Sequence, residues 1–188
     1  MSTIARLTLE QYDRMIEAGV FDATKPERIE LIHGELREMT PMGWSHISAM
    51  DALLNYWAMR IPRPHGVLVR IQSPLGFPVQ RSAPEPDMAW IADRDYSSRR
   101  PDAADVFLVI EVAESSLDYD RSEKADLYAA AGIKDYWIVN LVDKCVEVRR
   151  EPRDGRYHSV ESFGPGAEVR PLAFPELALP VRLLFPEA

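Results

Sequence analysis

The segment of residues 86–124, PDMAWIADRDYSSRRPDAADVFLVIEVAESSLDYDRSEK, decides the fold of this chain. It starts with PDMAWIA, a predicted strand that has Asp87 at its beginning. DVFLVIEVAE follows as a second strand, which contains Glu111 and is apolar enough to be a central strand buried on both faces. A helix within YDRSEKADLYAAAG comes next and carries Lys124. The order of these elements predicts an α/β fold in which two neighbouring strands and a helix meet.

Two carboxylates and an amine share this segment. Asp87 and Glu111 lie on strands joined by a loop, which lets their side chains converge, and Lys124 follows on the helix. Such groups can hold a divalent metal and activate water against a phosphodiester. Taken singly, Glu111 is explained equally well by a structural ion pair. Asp87 alone is more readily explained as a strand start, and Lys124 alone as a solvated helix position. Together they favour a functional site.

The positions of Glu111 and Lys124 are unusual for charged residues. Glu111 lies in FLVIEVA, the most apolar part of the chain, so it must face a cleft, form an ion pair or bind a metal. Lys124, Leu127, Tyr128 and Ala131 recur at helical spacing on one otherwise apolar stripe. A lysine on a stripe that faces the sheet needs a partner, and Glu111 or a bound phosphate would serve. Extension of the lysine to the surface is the alternative.

Two further residues are candidates for the same site. Glu30 lies between Ile29 and Leu31 in RIELIHGEL, so strand alternation points it away from both and toward a possible cleft. Functional and structural roles are equally well supported for Glu30. His46 follows Ser45 in the first turn of a predicted helix, where a histidine is more often a local hydrogen-bond partner than a ligand.

Composition sets the broad class of the protein. The 188 residues, 46% hydrophobic and 28% charged, are typical of one globular domain spanning residues 1–188. No run approaches the ~20 apolar residues that span a membrane, and the N-terminus lacks the apolar core of a secretory signal. Cys145 is the single cysteine, which excludes an internal disulfide and a cysteine-based zinc site. We therefore predict a cytoplasmic protein.

The net charge of −8 argues against one class of nucleic-acid protein. Proteins that coat nucleic acid without sequence preference need an excess of Lys and Arg to displace counterions from phosphate. An enzyme acting on nucleic acid is still compatible with this charge, because a metal site is built from carboxylates. Other catalytic motifs are absent from the sequence: it has no GxxxxGK[ST] loop, no GxSxG elbow and no HExxH pair.

The first third of the chain contains a helix, a hairpin and a second helix. Thr8 and Gln11 form a capping-box pattern that opens the first helix. Residues 28–40 read as two short strands hinged at His33-Gly34. A longer helix capped by Ser45 follows, and its spacing predicts core-facing Ala49, Met50, Leu53, Leu54, Trp57 and Ile61, with Pro62 and Pro64 ending it.

The rest of the chain adds strands around the segment 86–124. GVLVRIQ and LGFPV are predicted strands ahead of it. Asp120 and Glu123 form a possible capping box for the helix, which Gly132 ends. DYWIVNLVD and CVEVRRE form a hairpin around Asp143-Lys144, and the proline-rich remainder predicts short edge strands and turns.

Over nearly its whole length the chain resembles the Uma-type family of restriction endonucleases, small proteins of the PD-(D/E)XK nuclease superfamily. The matching segments are RIELIHGELREM, the helix that contains His46, PEPDMAWI, VIEVAESS, DYDRSEKADLYAAAGIKDYWIVN and ELALPVRLLF, in family order. The resemblance implies a restriction-endonuclease-like core, a mixed central sheet flanked by helices with extra hairpins.

The resemblance also implies roles for individual residues. Asp87 matches the aspartate of the PD motif and Glu111 the acidic residue of the (D/E)XK motif, both as metal ligands. The lysine two positions after Glu111 is missing, and Lys124 on the following helix takes its place. Glu30 matches a glutamate that often completes the site, and the backbone carbonyl of Val112 completes the metal shell. Asp120 and Tyr128 match family positions too, although capping and packing explain them.

The implied activity is metal-dependent hydrolysis of phosphodiester bonds in nucleic acid, with DNA as the expected substrate. Mg²⁺ is the implied cofactor, and Mn²⁺ would be able to substitute. A homodimer would place two symmetric sites on the two strands of a duplex. Two alternatives stay open at this point. One is a catalytically inactive nuclease-fold module for binding or assembly, and the other is a metal-dependent hydrolase of small phosphate esters.

Overall fold

The computed structural model of the protein describes residues 3–21, 28–58 and 66–185. In chain order its helices and strands are α1 (Leu9–Glu17), β1 (Arg28–Ile32), β2 (Glu35–Met39), α2 (Trp44–Asp51), β3 (Val67–Ile71), β4 (Met88–Ala92), β5 (Val106–Ala113), α3 (Leu117–Tyr119), α4 (Ala125–Ala131), β6 (Asp135–Asn140), β7 (Cys145–Arg153), β8 (Arg156–Phe163), β9 (Glu168–Val169) and β10 (Leu179–Pro180). Two π-helical segments, Ala52–Trp57 and Asp120–Lys124, follow α2 and α3, and 3₁₀ turns lie at Ala103–Asp105 and Val181–Leu184.

A six-stranded mixed sheet in the order β3-β4-β5-β6-β7-β8 forms the centre of the fold. β5 and β6 pair in parallel, and the other neighbouring strands pair antiparallel. A parallel pair needs a crossover, and the helical stretch α3 to α4 supplies it. β5 is an interior strand of the sheet and is largely buried, as its apolar sequence predicts.

Strand alternation divides the core into two layers. On one face, Trp90 and Ile110 pack in a cluster with Trp57 from the helical stretch after α2. On the other face, Val109 packs in a cluster with Tyr128 from α4. Since successive side chains of a strand point to opposite faces, residue 111 belongs to the face covered by α4. The fold therefore brings Glu111 and the lysine-bearing helix to the same side of the sheet.

The β1–β2 hairpin lies outside the central sheet, and its position is fixed by its turn. His33 and Gly34 have φ angles of 50° and 80°, as a two-residue type I′ turn requires. The amide of Gly34 donates to the carbonyl of Arg81 at 2.8 Å, and Leu31 bridges Ala83. The hairpin predicted at residues 28–40 is thus confirmed, and it is anchored to the segment just before β4.

Several helix predictions are confirmed by the structure. Thr8 and Gln11 form both hydrogen bonds of the capping box at the start of α1. Ala49, Leu53 and Trp57 are buried in the core, and Met50 and Leu54 pack against it. Gly132 ends α4 in the left-handed conformation, with φ of 89°. The predictions for Ile61, Pro62 and Pro64 lie outside the described residues.

Other local predictions are wrong. The second helix begins at Trp44 with Gly43 as its N-cap, so Ser45 is not the cap. LGFPV is not a strand, because Pro78 lacks an amide and starts a turn closed by the Arg81 amide. Asp120 and Glu123 do not cap a helix, because the chain is already helical from Leu117 onward.

The chain after β7 also differs from its prediction. β8 spans Arg156–Phe163 and is a long edge strand rather than a short one. Asp154 and Gly155 both have positive φ and turn the chain tightly between β7 and β8. β9 and β10 are short strands, as predicted. The organisation of residues 1–188 as one domain stays a prediction. Within the described residues, no helix has the length and apolar character needed to cross a membrane.

Candidate active site

The register of β4 and β5 places Asp87 beside Glu111. Met88 pairs with Ile110 in this antiparallel pair, and one more step along the strands brings Asp87 opposite Glu111. The amide of Asp87 donates to Oε2 of Glu111 at 3.2 Å. The amide of Val112 donates to Oδ2 of Asp87 at 2.8 Å. The two carboxylates therefore converge as their sequence positions predict, and each is tied to the other's strand.

Lys124 reaches this pair from the helical crossover between β5 and β6. Its Nζ donates to Oε1 of Glu111 at 2.9 Å and lies 3.5 Å from Oε2 of Glu30. The lysine is only 3% exposed, so it does not extend to solvent. The hydroxyl of Tyr128, one turn further along, donates to the same Glu111 oxygen at 2.8 Å. The amine beside Glu111 thus comes from the helix residue Lys124 and not from a residue of β5.

A local irregularity in the helix accompanies this placement. Asp120–Lys124 is π-helical and lies between α3 and α4. A π turn contains one residue more than an α turn and occurs most often at functional sites. Asp120 and Lys124, the two ends of the segment, are both buried. Asp120 accepts a hydrogen bond from the Ser116 hydroxyl at 2.7 Å instead of capping the helix.

Glu30 enters the site from the β1–β2 hairpin. Its side chain is 2% exposed, in agreement with the predicted inward orientation. Oε2 accepts from the amide of Glu85 at 3.1 Å, and Oε1 accepts from the Tyr119 hydroxyl at 3.4 Å. The hairpin therefore adds a third carboxylate, which also lies close to the Lys124 amine.

His46 also belongs to the site, which its sequence position alone did not favour. Nε2 of His46 lies 3.1 Å from Oδ1 of Asp87. The amide nitrogen of the Gln72 side chain lies 3.4 Å from the same oxygen. Gln72 was not predicted as a site residue, and its only signal is a position at the end of β3, next to β4 in the sheet. Both side chains hold Asp87 in place.

Burial and crowding of like charges shift the pKa values of the site. Burial, followed by the charges of Asp120 and Asp87, raises the pKa of Glu111 to about 8 against the opposing effect of Lys124. Burial likewise raises the pKa of Asp120 to about 6. For Asp87 burial is again the largest effect and acts upward, but His46, the Val112 amide and Lys124 together outweigh it and lower the pKa.

The same surroundings keep the amine of Lys124 protonated. Burial would lower the pKa of Lys124, but the carboxylates of Glu111, Glu30 and Asp120 outweigh it and hold the pKa above its ordinary value. Lys124 is therefore charged. One buried cation is thus shared by three buried carboxyl groups.

Most of these groups border one cleft of about 370 Å³, and Gln72 and Tyr128 lie behind its lining. Its charged and polar lining comprises Arg28, Glu30, Arg37, Glu38, Thr40, His46, Asp87, Glu111, Glu114, Ser115, Ser116, Tyr119, Asp120 and Lys124. Val112, the residue expected to offer a backbone carbonyl to a metal, also lines the cleft. The cleft thus contains every residue that the sequence predicted for the site.

The carboxylates of the site are suitable ligands for a hard divalent cation, but their oxygens already accept hydrogen bonds from the protein. Carboxylates are the ligands that Mg²⁺ prefers, and burial, with the charges of Asp120 and Asp87, raises the pKa of Glu111. Asp87 and Glu111 nevertheless accept hydrogen bonds from protein donors on both of their oxygens. In the parts of the chain that the structure describes, no group of three or more His, Cys, Asp or Glu side chains is arranged to hold a metal ion.

Comparisons with known proteins agree with this fold. A solved structure described as a putative nuclease of the DUF820 family from Anabaena variabilis superposes with a TM-score of 0.70. It is 17% identical and the match covers 95% of this chain and 97% of that one, which shows a shared fold. No curated protein matches the chain.

The restriction-endonuclease-like α/β fold predicted from the sequence is confirmed by the six-stranded mixed sheet and by this structural match. A family model described as "Putative restriction endonuclease" matches residues 9–182, a range that includes every candidate site residue. The chain belongs to this family, Uma2.

Proposed function

We propose that this protein is a Mg²⁺-dependent endonuclease that hydrolyses phosphodiester bonds in nucleic acid, with DNA as the expected substrate. One observation carries the proposal: Asp87, Glu111 and Lys124, from two strands and a helix, meet within hydrogen-bonding distance in a cleft. Burying this many charges is costly and contributes little to stability. Such clusters of perturbed pKa values are typical of catalytic sites.

Asp87, Glu111 and the backbone carbonyl of Val112 would hold the metal. A bound divalent cation polarises the scissile phosphate and lowers the pKa of water. The lowered pKa of Asp87 keeps this carboxylate ionised and ready to bind at neutral pH. Glu111 has a raised pKa and must lose its proton before it binds. The two ligands therefore differ in how binding depends on pH.

Lys124 is the residue that would act on the phosphate. It is charged, buried and fixed between Glu111 and Glu30. Because this cation is already held in position, the site does not have to rearrange when negative charge develops on the phosphate oxygens. It also orients an attacking water through its N–H donors. We assign Glu30 the role of holding Lys124 in place.

His46 would position the metal ligand rather than contact the phosphate. Its ring nitrogen contacts Oδ1 of Asp87, while the Val112 amide holds Oδ2. These two contacts fix the plane of the carboxylate. Partners of this kind tune ligand affinity in metal sites. A cytoplasmic location and a homodimer stay predictions from the sequence.

The test is incubation of supercoiled plasmid with purified protein in Mg²⁺, Mn²⁺ or EDTA. The proposal expects nicking with either metal and none in EDTA. Asp87→Ala and Lys124→Ala should be inactive. Asp126→Ala and Lys134→Ala, which change exposed charges on or near the same helix, should retain activity. Cleavage that survives in EDTA or in Asp87→Ala would contradict the proposal.

A second candidate is an inactive module that keeps the nuclease fold for binding or assembly. The observation that favours it is the self-sufficiency of the site, since protein donors occupy both oxygens of Asp87 and Glu111. Such a module has no reason to bind metal. Absence of both cleavage and metal binding would select it over the nuclease. Metal binding together with cleavage of small phosphate esters alone would indicate the third alternative, a phosphoesterase.

A further inference from the structure

The inner face of the β1–β2 hairpin carries two arginines next to the proposed catalytic residues. The register pairs Glu30 with Arg37, and Arg28 lies two positions before Glu30 on β1. Residues directly opposite each other, and residues two apart on one strand, project from the same face of a sheet. Arg28, Glu30 and Arg37 accordingly all line the cleft. The hairpin thus presents two guanidinium groups beside the carboxylate that lies 3.5 Å from the Lys124 amine.

Arg37 is held at the cleft by carboxylates that do not line it. Its Nη2 donates to Oε2 of Glu35 at 2.9 Å and to Oε1 of Glu123 at 3.1 Å. Glu35 lies on the same strand, and Glu123 lies in the π-helical segment next to Lys124. Neither glutamate belongs to the cleft lining. Both contacts use a single nitrogen, so they orient the guanidinium without occupying the whole of it.

Another nitrogen of this guanidinium has no partner. Nε of Arg37 is buried, and no described residue accepts a hydrogen bond from it. Buried donors are almost always paired, so an unpaired donor in a cleft calls for an explanation. A guanidinium presents its donors in a planar fork that matches the oxygens of a phosphate. The Arg37 side chain as a whole is 42% exposed, so an anion that enters the cleft can reach it.

Arg28 is oriented in a similar way. Its Nη2 donates to Oε2 of Glu85 at 3.0 Å, and its side chain is 30% exposed. Glu85 does not line the cleft either, and its amide donates to Glu30. Both arginines are therefore fixed by carboxylates outside the lining, which is how a preorganised binding site supports the groups that contact its ligand.

The charges of the cleft are divided between its elements. The proposed metal ligands Asp87 and Glu111 lie at the central sheet, whereas both arginines lie on the hairpin. A strand with its scissile phosphate at Asp87, Glu111 and Lys124 would bring a neighbouring phosphate to the hairpin. We propose that Arg37, with Arg28 beside it, forms a subsite for a backbone phosphate next to the scissile one. The substrate class is then a polynucleotide strand with consecutive phosphodiesters, and not a small phosphate ester.

This inference rests on the proposed function, because it assumes that a nucleic-acid strand enters the cleft, but its test needs no turnover. Binding of a fluorescein-labelled single-stranded oligonucleotide is measured by anisotropy in Ca²⁺ and in EDTA, over a range of KCl concentrations. Arg37→Gln should weaken binding about tenfold, in keeping with the loss of a charged hydrogen bond. The slope of log Kd against log salt concentration should fall by about 0.7 in Arg37→Gln, and likewise in Arg28→Gln, as one phosphate contact is lost.

Two further variants separate phosphate binding from a structural role of Arg37. Arg6→Gln removes an arginine that is similarly exposed and also pairs with Glu35, but does not line the cleft. It should leave affinity and salt slope unchanged. Glu123→Gln breaks the same ion pair from its other end and leaves the guanidinium in the cleft. This variant should bind the oligonucleotide at least as tightly as the wild type.

Three results would overturn the proposal. The first is absence of oligonucleotide binding by the wild type in both conditions. The second is an unchanged salt slope in Arg37→Gln or in Arg28→Gln, which would remove the subsite and leave the nuclease to the plasmid assay. The third is an equal loss of affinity in Arg37→Gln and Glu123→Gln, which would show that the ion pair supports the crossover instead of binding phosphate. Failure of plasmid cleavage with the Arg37-dependent slope intact would remove the nuclease and leave the subsite.

Discussion

Lys124 donates to Glu111 across 2.9 Å although the two residues lie on different elements, one on the helical crossover and the other on the central strand β5. Both side chains are at least 97% buried. The contact joins the sheet to the crossover through two charged side chains that are both buried in the core. Its removal should therefore affect both stability and activity.

Lys124→Met tests this contact. The substitution leaves buried Glu111 and Glu30 without their amine, which should destabilise the protein by about 3–5 kcal/mol. The effect should be largest above about pH 8 and shrink below it, because the pKa of Glu111 is about 8 and a protonated Glu111 needs no cation. Cleavage should be lost. Urea denaturation measures the free energy of unfolding, with exposed Lys134→Met as the control that stays within about 0.5 kcal/mol of the wild type. Equal stability of the Lys124 and Lys134 variants would argue against the buried ion pair.

The cleavage rate should depend on pH through Glu111. Its pKa is raised to about 8, so protons compete with metal for this carboxylate below that pH. At subsaturating Mg²⁺ the rate should rise about tenfold per pH unit up to about pH 8 and then level off. Saturating Mg²⁺ should move the rise to lower pH.

Asp120→Asn provides a matched variant for this profile. The charge of Asp120 helps to raise the pKa of Glu111, so its removal should shift the rise in rate to lower pH. The measurement is initial nicking rate against pH at fixed low Mg²⁺. A rate that is constant between about pH 6 and pH 8 at low Mg²⁺ would be incompatible with Glu111 as a metal ligand.

His46 should act through the metal ligand Asp87. His46→Ala removes the contact to Oδ1 and should weaken metal affinity by about 10- to 100-fold. His46→Gln keeps a donor at the end of a similar side chain and should recover most of the affinity. Titration calorimetry with Mn²⁺ compares the two variants. Identical affinities for Ala and Gln would rule out a hydrogen-bonding role.

Glu147, away from the cleft, should link stability to pH. Burial would raise its pKa, but hydrogen bonds from Arg121, Asn140 and Arg149 outweigh burial and lower it. A carboxylate with a lowered folded-state pKa stabilises the protein above its unfolded-state pKa of 4.5. That contribution is lost as the pH falls through the folded-state value.

Glu147→Gln should therefore reduce the free energy of unfolding by about 1.5–3 kcal/mol at neutral pH. In acid the difference from the wild type should disappear, because the wild-type carboxylate is then protonated as well. Urea denaturation at several pH values gives this comparison. Glu161→Gln, an exposed carboxamide substitution on β8, should show neither effect. A difference that persists in acid would mean that packing, not charge, holds Glu147.

Sequence reasoning succeeded where one local pattern determines the structure. The apolar run around Glu111 fixes a central strand, and PDMAWIA before it fixes the neighbour that carries Asp87. The stripe through Lys124 and Tyr128 faces the sheet as predicted, and both side chains reach Glu111. In each case the period of the sequence decides which way the side chain points.

Prediction from the sequence failed where contacts between residues far apart in the chain determine the structure. His46 and Gln72 meet at Asp87 from two separate elements, and no spacing in the sequence reports that meeting. Asp120 has the sequence signature of a helix cap, yet the chain is already helical before it. Its carboxylate accepts from Ser116 one turn earlier, and its carbonyl accepts from the Tyr136 hydroxyl on β6, a contact that no local pattern reports. α2 begins at Trp44, after Gly43, which has no side chain to form a capping hydrogen bond, so no capping pattern in the sequence could have located this start.

The most direct test of a metal site at Asp87 and Glu111 is a calorimetric titration of Mn²⁺ at about pH 8, where half or more of Glu111 is ionised. Wild type and Asp126→Asn, an exposed change on α4, should bind equally. Asp87→Asn should bind at least about tenfold more weakly. Absence of binding by the wild type, or equal binding by Asp87→Asn, would contradict the account and point to an inactive module.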